Sequence, residues 1–129
     1  MTAATASKMF VVDSSGWLEY LTEDEKAQGF APYLEDLQDI LVPVIVIYEV
    51  YKKLLGSVGR TEAEAFLSQA LRRKVVDFDE SLARAAAEAS LLHKLAMADA
   101  IIYATAQACA AELITSDQAF KNLAGVTLI

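Results

Sequence analysis

The stretch Met9-Phe10-Val11-Val12-Asp13 is a short apolar run that ends in an acid, and short apolar runs recur along the chain. They are rich in Val, Ile and Leu without strict polar alternation, which is typical of parallel strands covered on both faces. Segments with helical spacing separate them, and this alternation predicts an α/β domain with a mainly parallel sheet. The candidate strands are Met9–Val12, Ile40–Val42, Val75–Phe78, Glu112–Thr115 and Val126–Ile129.

Helices are predicted between these strands from their capping residues. Asp79 can cap one helix, and the segment Thr61–Glu64 matches a capping box that would open another helix through Arg73. The buried side of the helix after Asp79 is expected to carry Leu82, Ala85, Ala89 and Leu92. The segment Val44–Tyr48 is ambiguous, because its β-branched residues favour a strand while Pro43 fits the first turn of a helix. We predict a helix there.

Length and composition predict one folded domain. The chain has 129 residues, of which 55% are hydrophobic, so residues 1–129 can bury a substantial core, with residues 1–7 as a flexible N-terminal extension. No apolar stretch reaches the roughly 20 residues that a membrane span requires. The polar Met1–Ser7 segment lacks a signal region and the single Cys109 cannot form an internal disulfide, which together favour the cytoplasm.

Four acids lie beside apolar segments, where desolvating a charge is costly. Asp13 follows the first strand, Glu49 lies in the helix after the second strand, Asp99 heads an Ala-rich helix and Asp117 follows the fourth strand. A bound cation is the most direct way to stabilise such charges. Hard oxygen donors with no His or Cys nearby suit Mg²⁺ or Mn²⁺. The pattern therefore predicts a metal-dependent enzyme.

The predicted topology allows these acids to converge. Ligand sites in open α/β sheets form outside the carboxyl ends of the strands, and Asp13 and Asp117 both follow such an end. Each acid also has a purely structural alternative. Asp13 and Asp117 can cap helices, Asp99 can interact with a helix dipole and Glu49 can pair with Lys53.

The net charge of −7 opposes binding to a polyanion, but the charge is unevenly distributed. Residues 52–94 hold eight of the eleven Lys and Arg and six of the eighteen acids. A local basic rim is one interpretation of this segment, and a solvated helical face is the other. The residues concerned are Lys52, Lys53, Arg60, Arg72, Arg73 and Lys74.

Four segments, in this order, resemble the four motifs of the PIN domain, and more specifically the short toxins of VapBC toxin–antitoxin pairs. They are Val11–Ser15, Val42–Pro43 with Glu49–Val50, Met97–Ala106 and Thr115–Phe120. The resemblance covers nearly the whole chain from Met9 onward, and the third segment is the most specific.

The resemblance implies a three-layer α/β/α sandwich and an Mg²⁺- or Mn²⁺-dependent endoribonuclease. The family's catalytic, metal-binding acids fall on Asp13, Glu49, Asp99 and Asp117. Ser15 and Thr115 match polar positions that support the acids. Lys121 and Asn122 stand where some relatives carry a further acid, so a second metal would be weakly held.

The resemblance also implies partners, namely an RNA substrate, a VapB-type antitoxin and a second copy of the chain in a homodimer. The aromatic content of residues 30–58 gives independent support for the dimer, since aromatic residues are enriched in interface cores. The alternative is that these rings pack within the monomer. They are Phe30, Tyr33, Tyr48 and Tyr51.

Three rival functions are weaker. A phosphatase of the haloacid dehalogenase type needs a second Asp two residues after the first, where this chain has Ser15. A receiver-like phosphoacceptor needs an acidic pair after the first strand and a late lysine at the site, and neither feature is evident in this chain. A PIN-like scaffold that binds RNA or a partner without cutting is the serious alternative, but it has no need for the complete set of acids.

Overall fold

The computed structural model describes residues 8–35 and 39–129, which form one five-stranded sheet with every pairing parallel. The strands are Phe10–Val12 (β1), Ile40–Pro43 (β2), Lys74–Val76 (β3), Glu112–Thr115 (β4) and Val126–Leu128 (β5). The helices are Ser14–Leu21 (α1), Ala27–Leu34 (α2), Val44–Ser57 (α3), Arg60–Leu71 (α4), Glu80–His93 (α5) and Met97–Ala108 (α6), with a 3₁₀ helix at Gln118–Phe120. The predicted α/β fold is confirmed, while the predicted flexible extension at residues 1–7 lies outside the described residues.

Strand β1 lies in the middle of the sheet, whose order is β3-β2-β1-β4-β5. Val11 is level with Leu41 of β2 and with Leu113 of β4. Because parallel crossovers are right-handed, the two steps from β1 to β3 place α1 to α4 on one face of the sheet. The return from β3 to β4 places α5 and α6 on the other face, so the predicted three-layer sandwich is confirmed.

The crossovers change direction between β1 and β4, because the chain leaves β1 towards β2 and leaves β4 towards β5. In such sheets the diverging loops open a crevice outside the carboxyl ends of the two strands. Asp13 directly follows β1, and Asp117 lies two residues beyond β4. Residues that are far apart in the sequence therefore meet at this edge of the sheet.

Gly16 allows α1 to lie directly against β1 and α2. A Cβ atom at this position would lie 2.6 Å from a ring carbon of Phe30 and 2.7 Å from a methyl carbon of Val12, which real side chains do not tolerate. Beyond this contact, Trp17 and Phe66 pack edge to face with their ring centroids 5.2 Å apart, and both are buried. The close packing fixes the first turn of α1 beside the end of β1.

Most of the aromatic residues predicted at a dimer surface pack within the monomer. Phe30 is fully buried, and Tyr33 packs edge to face on Phe10 at a centroid distance of 5.1 Å. Tyr51 is half-buried, whereas Tyr48 is 58% exposed. The aromatic argument for a dimer is therefore wrong for Phe30, and Tyr48 is the ring of this group that faces solvent.

The helix starts follow the sequence signals in two of three cases. The helix α3 begins directly after Pro43, as predicted, and Asp79 caps α5 by accepting a backbone N–H bond at 2.9 Å. The capping-box prediction is wrong, because α4 begins at Arg60 and Thr61 lies inside its first turn. Gly59 occupies the cap position with a φ of 151°, a conformation that glycine adopts readily, and so the helix starts earlier than predicted.

The buried side of α5 differs from the predicted one. Leu82 and Ala86 are buried, whereas Ala85 is exposed and Leu92 is 75% exposed. The helix therefore presents a large apolar side chain to solvent near its end.

No helix within residues 8–35 and 39–129 combines the length and apolar character that a membrane span requires.

Candidate active site

Asp13 is a buried carboxylate that accepts three hydrogen bonds at the carboxyl end of β1. Its Oδ1 accepts from the backbone N–H of Gly16 at 2.9 Å. Its Oδ2 accepts from Ser15 Oγ at 2.9 Å and from Thr115 Oγ1 at 2.6 Å. Burial raises the pKa of Asp13, and the three hydrogen bonds oppose this rise because they stabilise the charged form. The structure thus places both predicted supporting residues against this acid.

Thr115 links Asp13 to Asp117 across the ends of β1 and β4. Its hydroxyl donates its only proton to Asp13, and its oxygen accepts the backbone N–H of Asp117 at 2.9 Å. The Asp117 carboxylate accepts from the backbone N–H of Ala119 at 2.9 Å and caps the 3₁₀ helix. Asp13 likewise caps α1 through Gly16. The structural alternative of helix capping is therefore realised for both acids, together with their convergence.

Glu49 projects from α3 and is held by the first residue of α1. Its Oε1 accepts from Ser14 Oγ at 2.6 Å across 35 positions of sequence. The alternative pairing of Glu49 with Lys53 is not among the ion pairs of the described residues. Ser14 is therefore a positioning residue that the sequence analysis did not identify.

Asp99 lies in the first turn of α6, and its pKa is raised to about 6. Burial is the largest cause, and the negative charges of the other site acids add to it. Those acids are Asp117, Asp13 and Glu49. The other three predicted acids therefore lie close enough to Asp99 to interact with it electrostatically.

The four acids provide a suitable donor set for a hard divalent cation. In the described part of the chain, no three His, Cys, Asp or Glu side chains are arranged as a ready-made metal cage. The raised pKa of Asp99 nevertheless shows that three like charges act on it, and a divalent cation between them would relieve that repulsion. The oxygen-only set suits Mg²⁺ or Mn²⁺.

A cleft of about 440 Å³ runs from Asp117 between α1 and α3. Its polar lining comprises Ser15, Glu19, Thr22, Asp24, Lys53, Ser57, Ser116 and Asp117. Ser116 Oγ donates to Glu19 Oε2 at 2.6 Å, so an acid of α1 lies directly beside the end of β4. Glu19 was not predicted from the sequence, although its position four residues after Ser15 places both on one side of α1.

The predicted basic rim is only partly present. Lys52 and Lys53 border a cleft of about 360 Å³ together with Glu49. Arg73 is instead buried, donates to the carbonyls of Leu34 and Gln69, and lies with its guanidinium 5.1 Å from the centroid of the Trp17 ring. Lys74 is the first residue of β3 and so lies at the amino ends of the parallel strands, whereas the acids lie at the carboxyl ends.

Comparison with protein families tests the resemblance suggested by the four motifs. The family model of the PIN domain matches residues 10–126, which is nearly the whole chain. The chain belongs to the PIN domain family. The predicted family is therefore confirmed, and the four acids lie within the matched region of this PIN domain.

Solved structures share the fold of this PIN domain over almost their full lengths. A toxin–antitoxin complex from Klebsiella pneumoniae aligns with a TM-score of 0.78 and 19% identity, covering 91% of this chain and 94% of the other. VapC20 of Mycobacterium tuberculosis, a toxin that cleaves the sarcin-ricin loop, gives a TM-score of 0.76, 17% identity and coverages of 91% and 96%. VapBC2 of Rickettsia felis, bound to a DNA fragment from its promoter, aligns with a TM-score of 0.72 and 17% identity. The alignment covers 94% of this chain and 97% of the other. Comparison with curated proteins gives no significant match.

The raised pKa of Asp99 predicts a pH-dependent stability in the presence of EDTA. The folded chain holds this proton more tightly than the unfolded chain, so the contribution of Asp99 to stability is fully present below about pH 4 and is lost as the pH rises through 6. Asp99→Asn removes this loss and should stabilise the PIN domain at pH 7 relative to wild type by on the order of 1 kcal/mol, because solvent screens the half-exposed carboxyl.

Thermal unfolding at pH 4.5 and pH 7 in EDTA measures this difference. Asp77→Asn, which removes one exposed charge outside the site, is the matched control. Equal pH dependence of the wild type and Asp99→Asn would contradict the prediction.

Proposed function

We propose that this PIN domain is an Mg²⁺- or Mn²⁺-dependent endoribonuclease that acts in the cytoplasm as the toxin of a toxin–antitoxin pair. The observation that carries the proposal is the convergence of four carboxylates at the carboxyl ends of the strands, where the charges of three of them act on Asp99. They are Asp13, Glu49, Asp99 and Asp117. The similarity in fold to a toxin–antitoxin complex and to the RNA-cleaving toxin VapC20 supports the toxin role and the RNA substrate.

The four acids would hold the metal ion. Once bound, such an ion lowers the pKa of water and neutralises the negative charge that develops on the phosphate in phosphodiester hydrolysis. The surrounding donors keep the acids in place for this task. Thr115 and Ser15 hold one oxygen of Asp13 and the N–H of Gly16 holds the other, while Ser14 restrains Glu49. Such preorganisation avoids reorienting the carboxylates during the reaction.

Expression of the wild-type chain alone should arrest bacterial growth, and co-expression of its cognate VapB-type antitoxin should restore growth. The reason is that an unrestrained endoribonuclease destroys RNA that the cell needs. Growth curves after induction measure the effect, and Asp99→Asn, which keeps the fold but loses one acid, is the control. Unimpaired growth with soluble, folded wild-type protein would instead favour a scaffold that binds without cutting.

We also propose that the PIN domain forms a homodimer, through a different surface from residues 30–58. The support is an exposed apolar patch where α5 ends and α6 begins, formed by Leu91 (84% exposed), Leu92 and Met97. Phe78 and Met97 border a shallow cleft of about 270 Å³ beside it. Patches of this kind on a soluble domain mark interaction sites, and a two-fold axis through the patch would bury it against itself.

Leu92→Glu should convert the dimer into a monomer, because it places a charge at the centre of a desolvated apolar contact. Light scattering should give twice 14.0 kDa for the wild type and a single copy for the variant. Leu71→Glu changes an exposed leucine of α4 and should leave the dimer intact. A wild-type mass near 14.0 kDa at micromolar concentration would refute the dimer.

A further inference from the structure

An exposed tyrosine lies on α3 immediately before Glu49. Tyr48 is 58% exposed, which is an unusually high exposure for a large aromatic residue. Lys52 lies one turn further along the helix, with its Nζ 5.5 Å from the ring centroid and 3.4 Å from the Tyr48 hydroxyl. The lysine therefore adds positive charge beside the ring.

The same ring shares a cleft with one of the site acids. The cleft of about 360 Å³ is lined by Tyr48, Glu49, Lys52, Lys53, Gly56 and Ser57. Lys53 and Ser57 also line the cleft of about 440 Å³ that contains Asp117. The two clefts thus meet at α3. Gly56 adds free space, because a Cβ atom there would have no neighbour within 4 Å.

This combination of groups matches single-stranded RNA. Proteins bind unpaired nucleic acid by stacking its bases on aromatic rings and by placing cations along its backbone. A base in a duplex is stacked between its neighbours and cannot offer its face to Tyr48. Lys52 and Lys53 supply local positive charge for phosphates in a chain whose net charge is −7.

We propose that Tyr48 stacks on an unpaired base next to the cleavage site, while Lys52 and Lys53 bind the adjoining phosphates. Tyr48 would therefore be a positioning residue for the RNA strand. The inference rests on the proposed nuclease function, because it assigns the acids beside Tyr48 to the cleavage of that RNA. Tyr48 also borders an apolar cleft of about 530 Å³ with Tyr51 and Leu55, so a protein partner is the competing occupant.

The test uses Asp99→Asn protein in Mg²⁺ and a short single-stranded oligoribonucleotide that contains 2-aminopurine, whose fluorescence falls when it stacks on a ring. In this background Tyr48→Leu should weaken binding about fivefold to a hundredfold and abolish the quenching, since one stacked base contributes about 1–3 kcal/mol. Tyr48→Phe keeps the ring and should restore both. The double variant Lys52→Ala/Lys53→Ala should weaken binding and lower its salt dependence.

Lys74→Ala is the matched control for the lysines, because Lys74 lies at the opposite edge of the sheet. A duplex of the same sequence should bind weakly and should not respond to Tyr48→Leu. Unchanged affinity and quenching in Tyr48→Leu would overturn the inference, and so would loss of antitoxin binding with RNA binding intact.

Cleavage by the otherwise wild-type enzyme separates this inference from the proposed function. A Tyr48→Leu enzyme that cleaves with wild-type KM and kcat overturns the stacking role and leaves the nuclease intact. A rise in KM for single-stranded RNA with little change in kcat supports the role. If a wild-type chain that cuts no RNA still shows quenching that depends on Tyr48, the proposed binding site stands and the proposed nuclease function is refuted.

Discussion

Asp99→Asn and, separately, Asp13→Asn are expected to lower the rate of RNA cleavage by about a thousandfold or more. Each change removes one anionic oxygen from the set that would hold the metal, and metal ions contribute several kcal/mol of transition-state stabilisation. Asp99→Asn should keep the fold, because it relieves repulsion among the remaining acids. Asp13→Asn should also lower stability, because its amide nitrogen cannot accept the hydrogen bonds that a carboxylate oxygen accepts. Single-turnover cleavage of a single-stranded RNA, with circular dichroism as the check on folding, measures the effect.

Two controls make the result specific to the site. Asp77→Asn removes an exposed acid elsewhere and should cleave at the wild-type rate. Lys53→Ala should have a much smaller effect than either site variant, because Lys53 is proposed to bind the substrate and not the metal. Near wild-type turnover in Asp13→Asn or Asp99→Asn would show that the site is wrongly assigned.

Chelation is expected to have an effect of the same size. Treatment with EDTA should reduce cleavage by roughly a thousandfold, and an excess of Mg²⁺ or Mn²⁺ should restore it. Zn²⁺ should be a poor substitute, because the four acids offer no His or Cys ligand. The measurement is the cleavage rate before chelation, in EDTA and after the addition of each ion.

Restoration of activity is the internal control, since it excludes irreversible unfolding during chelation. The chain should also remain folded in EDTA, because the hydrogen bonds to Asp13 come from the protein itself. Cleavage that persists undiminished in the chelator would refute metal dependence.

The strands could be predicted from sequence because short apolar runs carry their own signal. Glu112–Thr115 agrees with β4 at both ends. The prediction Val75–Phe78 is displaced towards the carboxyl end, because β3 is an edge strand whose limits depend on its pairing with β2. Local signals also identified the helix after Pro43, although Pro43 itself has an extended backbone and is the last residue of β2, not part of the first helical turn.

The positions of the site acids were predictable, but the residues that hold them were only partly so. Asp13 and Asp117 follow strand ends, which a topology rule can use. The bond from Ser14 to Glu49 joins residues 35 positions apart, and the bond from Ser116 to Glu19 joins residues 97 positions apart. Such contacts depend on how the helices pack on the sheet. The hydrophobic pattern of a single sequence does not predict that packing.

Burial of individual side chains was harder still to predict. Arg73 looked like one of several surface cations, yet its guanidinium lies against Trp17 and two backbone carbonyls. Burial lowers its pKa, because the charged form loses hydration. Leu92 looked like a core residue from its spacing but lies on the surface. In both cases the tertiary packing overrides the local pattern.

The central position of β1 has a consequence for the order in which the molecule assembles. The strand β1 pairs with β4 on one side, and the hydroxyl that holds Asp13 comes from Thr115, 102 positions later. Closing so long a loop is slow, and its entropy cost is recovered only when β4 docks. The four carboxylates therefore gather only after β4 has paired with β1, and a chain lacking β4 would carry no assembled site.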